Sequence, residues 1–264
     1  PVVPACERSL LRVTEAAGPT TDRHMTFIDL FAGLGGFPLA LAHLGHECVW
    51  ACDSAKKLRR LYAVNFPGTP IAGDITKVAV EDSPAHDILC AGFPCQPFSL
   101  AGKKEGFDDE KGRGNLFRQV CRVAAFHRPT YLLLENVKQL FHHDGGRTWA
   151  IMQEPLQQLG YGVSMAILSP HQFGIPQHRE RVYIVCQYGK TAAEMTQFPF
   201  PEPTNTPTDI GDFLHPDATL LRPVLPDKWR TLALWDEFLH RLYEREGVIP
   251  NHPIWAMELG ADYD

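Results

Sequence analysis

The feature that most constrains this chain is the rhythm of its apolar runs. Residues 26–30, 47–52, 87–91 and 131–134 are short runs of mostly consecutive apolar residues, and longer amphipathic stretches separate them. A strand with one wet face alternates apolar and polar residues, whereas a strand covered on both faces is apolar nearly throughout. The intervening segments 38–46, 55–65, 116–127 and 149–159 read as helices, and residues 163–168 and 181–187 as two further strands. Strands alternating with helices predict an α/β fold with a mainly parallel, doubly wound sheet. Sheets of that kind bind ligands at the carboxyl ends of their strands.

The 264 residues suffice for one large domain, or one domain with a smaller appendage, and 44% hydrophobic content supplies a full core. No run approaches the length of a membrane span. Residues 1–24 have neither periodicity nor the apolar core of a signal peptide, so they read as a loose leader, with Met25 a candidate natural start. Seven cysteines, an odd number without a framework, fit free thiols in a reducing compartment and predict a cytoplasmic protein. The net charge of -6 weighs against a nucleic-acid partner, but it averages over the chain, and phosphate contacts need only a local patch. Beyond Gly189 the character changes. Residues 198–226 are rich in proline and threonine and read as a connection leaving the core. Residues 229–246 read as a helix with Leu232, Trp235, Leu239 and Leu242 on one side. The expected organisation is therefore a leader (1–24), an α/β domain (25–190), and a linker with the start of a smaller region (191–264).

The first strand runs into Phe31-Ala32-Gly33-Leu34-Gly35-Gly36-Phe37-Pro38, which opens a helix. Glycines there let a ligand approach the backbone, whose free amides suit an anionic end. A dinucleotide-binding turn would carry a glycine where Pro38 stands, so this is not that fingerprint. Asp53 ends the second strand, where a carboxylate can accept both ribose hydroxyls. Asp74 and Ile75 follow the third unit as a polar and apolar pair suited to adenine. The three together predict an adenosyl ligand without a pyrophosphate; the glycine turn alone would equally serve tight packing.

The fourth strand ends in Gly92-Phe93-Pro94-Cys95-Gln96-Pro97-Phe98-Ser99. Cys95 stands on a proline-flanked turn at the ligand edge, where a thiol can react, whereas Cys90 within the strand should be buried and inert. Cys6, Cys48, Cys52, Cys121 and Cys186 are read as packing residues. Glu135 ends the fifth strand at the same edge, in a partly dry setting that favours a neutral carboxyl group. Arg179 and Arg181, read as two apart in one strand, should point the same way, where they could clamp a phosphate or the target base and steady Glu135. His178, just before them, is read as a surface residue.

In this order, Phe31-Ala32-Gly33-Leu34-Gly35-Gly36, Pro94-Cys95-Gln96, Glu135-Asn136-Val137 and Gln177-His178-Arg179-Glu180-Arg181 resemble the motifs of DNA (cytosine-5) methyltransferases. The resemblance runs from about Met25 to Gln187. It implies a Rossmann-like S-adenosylmethionine-dependent methyltransferase fold followed by the start of a smaller recognition domain. It implies Cys95 as nucleophile, Glu135 at the cytosine N3 position, and Arg179 and Arg181 as active-site support. Carbon 5 of cytosine is a poor nucleophile, and a thiolate added at carbon 6 makes an enamine that can attack a methyl sulfonium. The resemblance places Phe31, Gly33, Leu34, Gly35 and Asp53 around S-adenosylmethionine, together with Ser54, Asp74, Ile75, Pro94 and Leu116. No metal is implied. The partner implied is double-stranded DNA with the target base flipped out of the stack. Residues 98–115 resemble a loop that closes over that base.

The family continues through a recognition domain and a closing Asn-x-Val segment, neither of which is found before Asp264. The expectation is a fragment, or one subunit of a split enzyme completed by another chain. Two rivals stay open: an RNA cytosine-5 methyltransferase on the same scaffold, and a non-catalytic DNA-binding module. A zinc cytidine deaminase does not fit, because Phe98 occupies the place of its second cysteine.

Overall fold

The computed structural model of the protein describes residues 23–94, 116–213 and 223–248. Seven strands form one sheet: β1 (Thr26–Leu30), β2 (Glu47–Cys52), β3 (Ile71–Ala72), β4 (Ile88–Ala91), β5 (Tyr131–Val137), β6 (Tyr161–Leu168) and β7 (Arg181–Tyr188). The order is β3-β2-β1-β4-β5-β7-β6. β1 to β5 run parallel, and β7 inserts antiparallel between β5 and β6. The expected mainly parallel sheet is thus found. The direction in which the chain winds reverses between β1 and β4, the position at which such sheets leave a crevice.

The helices are α1 (Gly36–His43), α2 (Lys56–Asn65), α3 (Leu116–His127), α4 (Gln139–His142), α5 (Arg147–Gln158), α6 (Ala192–Met195) and α7 (Pro226–Glu246). Side-chain alternation sends the two halves of each central strand into different layers. Ile28, Leu30, Leu89 and Ala91 pack with Phe117, Val120 and Ala124 of α3, while Phe27, Ile88 and Cys90 pack with Leu41 of α1. Both faces are covered, which is why the sequence runs are continuously apolar.

Two departures from the sequence reading have plain causes. β3 is only two residues long, too short to show a period. β5 extends beyond Leu134 to Val137, because Glu135 and Asn136 stay in register with Tyr183 and Val182 of β7.

The chain divides into two compact units, Pro1–Pro207 and Thr208–Asp264. The first reaches past residue 190 because the chain after β7 packs back on β6. A Cβ on Gly162 would lie 2.7 Å from Met195 Cγ and 2.8 Å from the carbonyls of Lys190 and Thr191. The amides of Thr204 and Asn205 then donate to the Gln172 carbonyl at 2.9 and 3.2 Å. In the second unit the described part is mainly α7, on which Leu242 is buried, Trp235 and Leu239 are half-buried and Leu232 is exposed. Among the described residues no helix is long and apolar enough to cross a membrane.

Candidate active site

A cavity of about 540 Å³ opens at the carboxyl ends of β1 to β4, within the usual range for a small-molecule site. Phe31, Asp53, Ser54, Asp74, Ile75, Pro94 and Leu116 line it, all expected from the sequence. Cys52, Thr76 and Gly92 line it too, and the sequence reading missed them as site residues. Cys52, expected from the sequence to pack, is 1% exposed and does both.

Each wall is held by side chains bound to main chain. Phe31 leaves β1 with φ 63°, a left-handed conformation rare for a bulky residue. That turn brings the Gly33 amide to Asp53 Oδ2 at 2.9 Å, while the Ala55 amide donates to Asp53 Oδ1 at 2.7 Å. Each carboxylate oxygen keeps capacity for a further donor. Arg59 of α2 donates to the carbonyls of Asp53 and Ser54 at 2.7 and 2.8 Å, which closes the turn from behind. Asp74 Oδ1 accepts the Thr76 amide and hydroxyl at 3.0 and 2.8 Å, and the Thr76 bonds hold its carboxyl below the usual range.

Arg122 ties two walls together. From α3, whose first residue Leu116 lines the cavity, it donates Nη2 to the Ile75 carbonyl at 2.9 Å. It also donates Nη1 and Nη2 to the Val78 carbonyl at 3.1 and 3.0 Å. Nothing in the motif pattern singles it out, since an arginine on an amphipathic helix reads as a solvated face.

The glycine turn divides its tasks in the structure. Gly33 acts through its amide on Asp53, while Leu34 is 65% exposed and neither Leu34 nor Gly35 lines the cavity. Gly35 has φ 88°, and a Cβ there would fall 2.2 Å from the Phe66 ring. This glycine therefore serves packing of α1 against the end of α2.

Glu135 stands beside the cavity. Its Oε2 lies 3.5 Å from where a Cβ on Gly92, a cavity residue, would project. Arg181 Nε meets Glu135 Oε1 at 2.9 Å, with the two side chains 19% and 28% exposed. Arg181 opens β7, so cross-strand register with Val137 brings it to the end of β5. Arg179 differs from the expectation of two arginines in one strand. It precedes β7, donates its amide to Ser169 Oγ at 2.9 Å, and its guanidinium pairs with no carboxylate among the described residues. His178 is exposed and stacks on His171 with centroids 4.7 Å apart. Lys138 and Glu180 pair at 2.9 Å, and the Lys138 bond lowers the Glu180 carboxyl.

Asn136, buried beside Glu135, donates Nδ2 to the Phe93 carbonyl at 2.9 Å. It thereby anchors the segment that leads to Cys95. Cys95 itself and the loop at residues 98–115 lie outside the described residues. Cys90 is fully buried and burial drives its thiol well above the ordinary value, as expected of an inert cysteine. Burial likewise raises Cys52 and Cys121, each to about 12.

Residues 25–245 match the family of C-5 cytosine-specific DNA methylases. The chain belongs to that family. It is 41% identical over 210 residues to the Type II methyltransferase M.HhaI of Haemophilus parahaemolyticus, covering 78% of this chain and 63% of that protein. It is 44% identical over 196 residues to the Type II methyltransferase M.DsaV of Dactylococcopsis salina, covering 74% of this chain and 55% of that one. The chain thus spans less than two thirds of the length of these relatives. The S. pombe Dnmt2 methyltransferase shares the fold with a TM-score of 0.56 at 21% identity, covering 80% of this chain and 66% of that one. The expected Rossmann-like methyltransferase fold is borne out.

Proposed function

We propose that this C-5 cytosine methylase family member transfers a methyl group from S-adenosylmethionine to carbon 5 of a flipped-out cytosine in double-stranded DNA. The observation that supports it most is the adjacency of Glu135, gripped by Arg181, to Gly92 in the wall of the cavity. The donor set fits the cofactor. Asp53 offers acceptor capacity to ribose hydroxyls, Asp74 and Ile75 can meet the adenine, and Phe31 and Leu116 supply apolar walls. When bound, the cofactor supplies the electrophilic methyl group.

In this reading Cys95 adds to carbon 6 and Glu135 contacts N3, where negative charge develops. Arg181 orients the Glu135 carboxyl group, and Asn136 fixes the backbone entering the Cys95 turn. The recognition surface for DNA belongs to residues 191–264 together with sequence or a partner chain completing it. A cytoplasmic setting follows if DNA is the substrate.

The test is methyl transfer to duplex DNA and to transfer RNA, with the chain alone and with a candidate partner chain added. Cys95→Ala should abolish transfer and covalent capture on 5-fluorocytosine DNA while S-adenosylhomocysteine still binds. Glu135→Gln should slow single turnover by about 10²–10⁴-fold. Transfer by the Cys95 variant would defeat the covalent mechanism, and transfer to transfer RNA alone would favour the RNA enzyme.

A further inference from the structure

We propose that the outer face of α2 is a second contact surface for DNA phosphates, outside the catalytic cavity. The inference rests on the reading that DNA is the substrate. α2 has the sequence Lys-Lys-Leu-Arg-Arg-Leu-Tyr-Ala-Val-Asn, with four cations and no acid, and its N-cap residue Ala55 makes no side-chain cap bond. The chain as a whole carries -6, so this helix stands against the background charge. Arg59 is occupied by the Asp53 and Ser54 carbonyls. Lys56, Lys57 and Arg60 are exposed, and among the described residues none of the three meets a carboxylate.

Two physical effects disfavour this arrangement in the isolated protein, and a third arises when the proposed cofactor binds. Cations in the first turn oppose the helix macrodipole, which favours acids there. Lys56 and Lys57 each repel Arg60, being four and three residues away on neighbouring positions of the helix surface. The helix also begins two residues after Ser54 in the cavity wall. S-adenosylmethionine carries a sulfonium and an ammonium against one carboxylate, so a cationic helix beside its site repels it. Local rules broken together without compensation inside the fold mark a functional surface. An external polyanion relieves all three effects at once. Leu61 and Val64 are exposed further along the helix, but two isolated side chains are ordinary surface and make no protein-docking patch.

The experiment uses the full 264-residue chain and the triple variant Lys56→Gln, Lys57→Gln, Arg60→Gln. Glutamine keeps helix propensity and removes charge. Duplex DNA binding is measured between 50 and 200 mM salt. Each phosphate contact contributes about 0.9 to the slope of log affinity against log salt, so three lost contacts flatten it by up to about 2.7. Over that fourfold salt range the wild type should therefore lose up to about 40-fold more affinity than the variant. S-adenosylhomocysteine affinity should be unchanged, and the thermal midpoint equal or higher.

An unchanged slope overturns the proposal. So does an unchanged slope accompanied by loss of self-association, which would assign the face to a second copy of the chain. A wild type that binds duplex DNA with the steeper slope, yet transfers no methyl group even with the completing chain added, refutes the proposed activity and leaves this inference standing. A wild type that does not bind duplex DNA refutes this inference and leaves the proposed activity to the assay with the completing chain.

Discussion

Asp29 should make the protein less stable as pH rises above the ordinary carboxylate range, and its replacement by asparagine should remove that dependence. Asp29 lies on β1 on the same face as Phe27 and is 1% exposed. Neither carboxyl oxygen finds a hydrogen-bond partner among the described residues. Burial, reinforced by the like charge of Asp53, pushes its pKa well above the usual 3.8. The sign follows from proton counting. Below about pH 4 the group is protonated in both states and contributes no pH dependence. Above that, the unfolded chain loses the proton while the folded chain keeps it, so stability falls with rising pH. The fall is about 1.4 kcal/mol per pH unit and ends at the folded pKa. For a domain with a typical net stability of about 5–15 kcal/mol, that is a large effect per unit. The amide of Asp29→Asn does not titrate, so the difference between the two proteins isolates this group from the other carboxylates. Urea unfolding at half-unit steps upward from pH 4 should show the variant gaining on wild type as pH first leaves the ordinary carboxylate range, with equal m-values. Stability curves that stay parallel throughout would refute the reasoning.

Two further outcomes follow from the cavity walls. Asp53→Ala removes the acceptor for the Gly33 and Ala55 amides as well as the proposed ribose contact. It should weaken S-adenosylhomocysteine in calorimetry far more than it weakens DNA binding, and equal affinity for the cofactor product would make Asp53 merely structural. Arg122→Met strips the Ile75 and Val78 carbonyls of a charged donor, a loss of about 1.5–3 kcal/mol in unfolding free energy. Because those carbonyls flank the Asp74 segment, cofactor affinity should fall with it. Unchanged affinity in a destabilised variant would confine Arg122 to folding.

The central sheet was legible because its strands are buried on both faces and show it as unbroken apolar runs. β3 was not, since two residues with partial burial carry no pattern. Strand-end chemistry was legible for a related reason. Asp53, Asp74 and Glu135 are polar residues standing immediately after apolar segments, where the sheet's carboxyl edge places them. What the sequence hid are interactions whose partner is main chain. Arg122 and Arg59 look like solvent-facing cations on amphipathic helices, yet both grip carbonyls at the cavity. Asn136 is visible only as Glu135's neighbour, although its bond to Phe93 runs across 43 positions. At Gly35 the glycine pattern points to a ligand, while the close approach of the Phe66 ring is a packing constraint that the pattern does not show.

These concealed grips change how the motif residues should be weighed. Asp53, Asp74, Arg59, Arg122 and Asn136 all hold backbone atoms of the walls before any ligand arrives. A cavity held in that way is preorganised, so less binding energy is spent on ordering loops. The same bonds explain why a carboxylate is required at residue 53 in particular. A side-chain amide could still accept from one of the amides of Gly33 and Ala55, but its NH₂ group would face the other donor. A carboxylate accepts from both and retains lone pairs toward the cavity. The preference for an acid at this strand end therefore comes first from the two peptide donors of the protein and only second from the proposed ribose contact. A change such as Asp53→Asn would disturb the turn even before the ligand site was tested.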